Sequence, residues 1–127
     1  MKTYHNVVGE VSQYLLERAA ACARAGLGKD KVILDPGLGF AKDLEGNLAL
    51  CHGLGEMTGH GIPVLLAGSR KGFIGKVLGD LPAEERLEGT MALSAAALYA
   101  GAQMVRVHDV KENVRLIRML EAIRRCQ

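Results

Sequence analysis

The sequence predicts an α/β fold built on a parallel sheet. Three observations carry that expectation. Segments with helical spacing alternate with short apolar runs, each run stops abruptly at a polar or glycine-rich cluster, and the run ends recur at similar intervals. Asp35 to Ser69 is 34 residues and Ser69 to Arg106 is 37, so each interval accommodates one strand, helix, strand step of about 30 residues or more. A continuous apolar run with no polar alternation is the pattern of a strand covered on both faces, as in parallel sheets.

The elements follow in order. Over residues 9–25, Val11, Tyr14, Leu15, Ala19 and Cys22 recur at helical spacing with Glu17 and Arg18 opposite, and Gly26 and Gly28 end the helix. Lys31 to Leu34 supplies a Val-Ile-Leu strand, stopped by Asp35-Pro36-Gly37. A second helix over 43–59 leads through Gly59 and Gly61 into a strand from Ile62 to Ala67, and a third over 82–100, opened by Pro82, leads through Gly101 into a strand from Gln103 to Val107. The last helix runs from Val110 to Arg125. Asp109 and Glu112 at its start have capping-box spacing, and Arg124 and Arg125 at its end complement the helix dipole. No linker interrupts the series, so the 127 residues read as one domain.

Composition narrows the partners. Hydrophobic residues make up 49% and aromatics only 4%, so the core is expected from Ala, Leu, Val and Ile. Sixteen Lys and Arg against fourteen Asp and Glu give a net charge of +2, too balanced to argue for nucleic acid or an acidic membrane surface. No apolar run approaches the ~20 residues of a membrane-spanning helix. Met1 to Asn6 has one cation and no apolar run, which predicts a cytoplasmic protein. Cys22, Cys51 and Cys126 form no C-x-x-C pair and read as reduced packing residues.

Ligands of parallel α/β proteins bind at the carboxyl ends of strands, where three clusters lie. In Asp35-Pro36-Gly37-Leu38-Gly39-Phe40-Ala41-Lys42 a fixed carboxylate suits two adjacent N–H donors of a heterocycle, although Asp-Pro-Gly serves equally as a tight turn. It lacks the third glycine of a dinucleotide fingerprint. Gly68-Ser69-Arg70-Lys71-Gly72-Phe73-Ile74-Gly75 combines two cations, a hydroxyl and backbone N–H groups, an anion site or else a solvated basic turn. It is not a P-loop, because Arg70 and Val77 stand where Gly and Ser or Thr are required. In Arg106-Val107-His108-Asp109, strand periodicity turns Arg106 and His108 to one side and Val105 and Val107 to the other. Arg and His together suit phosphate oxygens, although a lone His is as often structural. His5, His52 and His60 lack such partners and read as surface or packing residues.

Leu34-Asp35-Pro36-Gly37-Leu38-Gly39-Phe40, Ser69-Arg70-Lys71-x-Phe73-Ile74-Gly75, Glu85-Arg86-Leu87-x-Gly89-Thr90 and Arg106-Val107-His108-Asp109-Val110, in this order, resemble the carboxy-terminal half of dihydropteroate synthase. The resemblance covers essentially the whole chain. It implies part of a TIM-type (β/α)8 barrel, about three strands and four helices, forming over 1–127 a single incomplete pterin-binding domain. It also implies a transferase of folate biosynthesis, condensing 4-aminobenzoate with 6-hydroxymethyl-7,8-dihydropterin diphosphate. By the same resemblance Asp35 and Lys71 bind the pterin, Phe40, Lys71 and Gly72 flank the aminobenzoate, and Arg106 and His108 bind the diphosphate. Lys71, Arg106 and His108 are thereby the expected catalytic residues. Magnesium is expected for the complete enzyme, with its ligands in the amino-terminal half and none in this chain.

Two positions depart from the family pattern. Gly72 stands where a Ser is common, losing a hydroxyl donor, and Ala67 stands where Gly is common, adding a methyl to the pterin pocket. A complete barrel needs about 250 residues and eight strands, which leads to two functional expectations. The chain is a fragment or split half of the synthase, inactive without its complement, or it is a non-catalytic half-barrel that binds pterin or anions and self-associates. A small doubly wound domain binding a phosphorylated metabolite is a third reading. Unpaired sheet edges predict that the chain is not a stable monomer, with a homodimer or the complementary half as partner.

Overall fold

The computed structural model describes residues 6–40 and 42–126. His5 and the rest of residues 1–5 lie outside them, as does Ala41 of the first cluster. Helix α1 (Val7–Arg24) is opened by the Asn6 side chain, which accepts the Gly9 N–H at 3.1 Å. Helix α2 (Leu44–His52) is opened by Asp43, which accepts the Gly46 N–H at 2.7 Å. It ends well before residue 59, because Gly53 and Gly55 favour the coil and only a 3-10 turn, Leu54–Glu56, follows.

Three parallel segments lie side by side in sequence order. Leu34 bridges to Val64, and β1 (Leu65–Leu66) pairs with β2 (Met104–Val105) in the register Leu65 to Met104 and Leu66 to Val105. The parallel α/β class is therefore as expected, but the strands are shorter than 31–34, 62–67 and 103–107. Lys29–Lys31 forms a 3-10 turn, and the first segment pairs only at Leu34, where its N–H donates to the Pro63 carbonyl and its carbonyl accepts from Leu65 N–H, both at 2.8 Å. Pro36 and Pro63 have no N–H to extend the ladder. Around Val64 a side chain takes over, since Gln103 Oε1 accepts the Val64 N–H at 2.8 Å. Ile33, expected to be buried on both faces, is 53% exposed.

After β1 the chain enters a helix absent from the expected series, α3 (Gly72–Val77), then turns through Gly79 and Asp80, both at positive φ. Pro82 precedes only a 3-10 turn, Ala83–Glu85, so α4 (Leu87–Ala100) begins five residues later than predicted. Helix α5 spans Val110–Arg125 as expected. Its capping is different, because the Asp109 side chain makes no cap bond and is held instead by Arg70.

The core joins Leu34, Val64 and Leu66 from the sheet to Leu38, Leu50, Leu54, Met57, Phe73, Ile74 and Ala97 around it. Between α4 and α5 lies a buried polar strip. Ser94 O–H donates to Asn113 Oδ1 at 2.7 Å, and Asn113 Nδ2 donates to the Asp109 carbonyl at 2.8 Å. Each buried polar atom thus has a partner, which fixes α5 under the third strand end. Among the described residues no helix is long and apolar enough to cross a membrane.

Candidate active site

The three strand-end clusters meet at one open cleft of about 410 Å3. Asp35, Phe40, Lys71, Arg106 and His108 all line it, together with Gly37, Leu38, Ala67, Ser69 and Val107. Gly72 adjoins Lys71 without being part of the lining. Arg106, Val107 and His108 all line the cleft, because β2 ends at Val105 and strand alternation does not extend through them. Val107 was expected to turn away, but it lines both this cleft and a smaller hollow beneath β2.

The first wall is a tight glycine loop. Asp35 Oδ1 accepts the Gly37 N–H at 2.8 Å, so the Asp-Pro-Gly turn and the cleft carboxylate are the same device. Gly37 and Gly39 have φ of 71° and 86°, which only glycine adopts readily. The loop is held from outside by Asn47 Oδ1, accepting the Gly39 N–H at 2.8 Å, and by Lys42 Nζ, donating to the Gly37 and Phe40 carbonyls at 2.8 Å each. Phe40 is left 67% exposed, a large apolar face turned to the opening. Lys71 Nζ lies 4.8 Å from its ring centroid, a cation over an aromatic face.

The second and third walls are tied together. His108 N–H donates to Ser69 Oγ at 3.1 Å, and Ser69 Oγ also lies 2.7 Å from His108 Nδ1. Which of the two donates in that contact depends on the ring tautomer, and with Nδ1 engaged by Ser69 it is Nε2 that remains to meet a ligand. Arg70, expected as a second cation of an anion site, is not in the lining. Its Nη2 instead donates to Asp109 Oδ1 at 3.1 Å, with both side chains partly buried. Sequence reading missed this pair because each residue had a plausible local duty, Arg70 in a basic turn and Asp109 as a helix cap.

Asp35, in the lining, and Asp109, next to His108, are thus engaged by Gly37 and Arg70, and among the described residues no three His, Cys, Asp or Glu side chains converge as a metal set. Cys51 stands apart from the cleft, and burial pushes its thiol up to about 11, so at neutral pH it is an inert packing group.

A parallel α/β layout here gathers a carboxylate, a lysine over an aromatic ring and an Arg-His pair at the strand ends, where ligands of such folds bind. The chain belongs to the family of pterin binding enzymes, whose model matches residues 1–108. Its relatives within that family are dihydropteroate synthases. It is 44% identical over 119 residues to the dihydropteroate synthase of Escherichia coli K12, covering 94% of this chain and 42% of the relative, and 44% identical over 122 residues to that of Bacillus subtilis 168. Solved structures agree. The Xanthomonas albilineans dihydropteroate synthase with 4-aminobenzoic acid superposes with a TM-score of 0.95 at 36% identity, over 99% of this chain and 46% of that one. The same enzyme in complex with 7,8-dihydropteroate gives 0.95 over 98% and 48%. The chain therefore spans less than half the length of the relatives it matches.

Proposed function

We propose that this chain supplies the carboxy-terminal half of a dihydropteroate synthase barrel, and that its cleft binds the pterin diphosphate and 4-aminobenzoate. The convergence of Asp35, Phe40, Lys71, Arg106 and His108 from three separated strand ends into one cleft carries this reading. Asp35 accepts hydrogen bonds from adjacent N–H groups of the pterin through the carboxylate edge that Gly37 leaves available. Lys71 reaches the pterin with its head while its stem and Phe40 flank the aminobenzoate, and the Gly72 amide meets the carboxylate.

The reaction is a displacement at the pterin methylene. The aminobenzoate nitrogen forms the new C–N bond as the C–O bond to diphosphate breaks, the electron pair leaves with diphosphate, and the nitrogen loses its proton. Arg106 and His108 stabilise the charge that grows on the leaving oxygens, an electrostatic contribution that dominates such steps. Holding both substrates on one rigid set of strand ends supplies the orientation term. Magnesium, if used by the complete enzyme, is held by residues outside this chain.

The partner is the amino-terminal half of the barrel, a second copy of this chain, or both, in a cytoplasmic setting. Exposed Tyr99 on α4 and Met119 and Ile123 on α5 support a homodimer through these helices. Calorimetry with inorganic diphosphate tests the anion role. Binding by the wild-type chain should weaken by about 10-fold or more in Arg106→Ala, the loss of one charge-assisted bidentate contact, and an unchanged isotherm would sink the assignment.

A further inference from the structure

The motif Glu85-Arg86-Leu87-x-Gly89-Thr90 has no place in the chemistry above, yet two of its side chains converge on Arg70, which stands between the lining residues Ser69 and Lys71. Arg70 has φ of 59°, one of two non-glycine residues at positive φ among those described. It occupies the third position of a tight turn closed by Lys71 N–H donating to the Gly68 carbonyl at 3.1 Å, where a positive φ normally calls for Gly or Asn. An arginine stays in that conformation only when its surroundings over-determine it.

The surroundings do so at both ends of the residue. Thr90 Oγ1 accepts the Arg70 N–H at 3.0 Å, and Arg86 Nη1 donates to the Arg70 carbonyl at 2.8 Å. Arg86 is itself anchored, with Nε donating to the Leu81 carbonyl at 2.8 Å. The guanidinium of Arg70 then reaches Asp109, beside His108. On either side of the turned residue, Ser69 holds His108 and Lys71 lies over Phe40. A relaxation at residue 70 would therefore move the groups on both sides of the cleft.

We propose that Arg86 and Thr90 are positioning residues, which clamp Arg70 in a left-handed turn and thereby pin Lys71 over Phe40. The clamp rests on the reading of the cleft only for its effect on ligands, and it is measurable without them. In the NMR spectrum of the full chain, the ε-methylene protons of Lys71 should be shielded by the Phe40 ring, with Phe40→Leu giving the unshielded reference. Thr90→Val, which keeps the side-chain shape, and Arg86→Gln should each remove at least half of that shielding. Adding Arg70→Gly to either variant should restore it, because glycine adopts the turn unaided, whereas a role in overall stability alone would show no such rescue. Wild-type shielding in folded Thr90→Val or Arg86→Gln overturns the proposal, and so does a double variant no better than its parent. Titration of the same samples with inorganic diphosphate separates the two ideas. Loss of shielding in the variants with no diphosphate binding by any form, wild type included, keeps the clamp and removes the assigned function of the cleft.

Discussion

Gly72 is the residue at which this chain departs most plainly from the pattern its cleft otherwise follows. A Cβ built there meets nothing within 4 Å, and its φ is not in the left-handed region. Gly72→Ser should therefore leave stability within about 0.5 kcal/mol, as for an unencumbered surface site, while adding a hydroxyl donor where the aminobenzoate carboxylate is placed. Comparing 4-aminobenzoate affinity of the two forms checks this, with tighter binding by the serine form expected. At this scale the sequence was highly legible. Asp35, Lys71, Arg106 and His108 were recognisable because they stand in clusters that follow apolar runs, and the fold then brings run ends together, whereas Phe40 was singled out only by the family resemblance. Arg70, Asp109 and Ser69 were not legible in their actual duties, since each spends its side chain on a residue 39 positions away in the chain.

Helix–helix packing beneath the third strand end depends on one buried amide. Asn113 accepts from Ser94 and its side chain donates to the Asp109 carbonyl, so Asn113→Ala leaves the buried Ser94 hydroxyl without its partner, while the Asp109 carbonyl keeps only the backbone N–H of residue 113. The cost should be about 1–3 kcal/mol, read as a lower denaturation midpoint, and because Asp109 holds Arg70 the loss should extend to the cleft. Element existence was readable from periodicity, as α1, α2, α4 and α5 show. Element ends were not, because they were decided by tertiary partners. Gln103 replaced a ladder bond with its side chain, Pro82 opened a 3-10 turn in place of a helix, and six residues at Gly72–Val77 were too few to show a helical period.

The whole molecule exposes apolar surface on more than one side, with Ile33 beside the first strand segment and Tyr99, Met119 and Ile123 on the outer helices. Patches of this kind on a small chain favour association. Light scattering should give a mass above the 13.6 kDa of one chain, and replacing Met119 and Ile123 by Glu should lower it. A single-copy mass for the unaltered chain would count against both the homodimer and the open edge. Synthase turnover from the chain alone is expected to be undetectable, and to appear on mixing with a polypeptide that completes the barrel.

The pairing at Leu34 has a consequence in time as well as in space. The segment that carries Asp35 and Phe40 is stitched to the sheet by two backbone hydrogen bonds at one residue, while β1 and β2 share a longer ladder and a side-chain bond from Gln103. Local opening follows the weakest seam. In hydrogen–deuterium exchange the Leu34 and Leu65 amides should exchange before those of Met104 and Arg106, so one wall of the cleft breathes while the other stays shut. A ligand spanning both walls would close that seam, and slower exchange at Leu34 would report its arrival from the far side of the sheet.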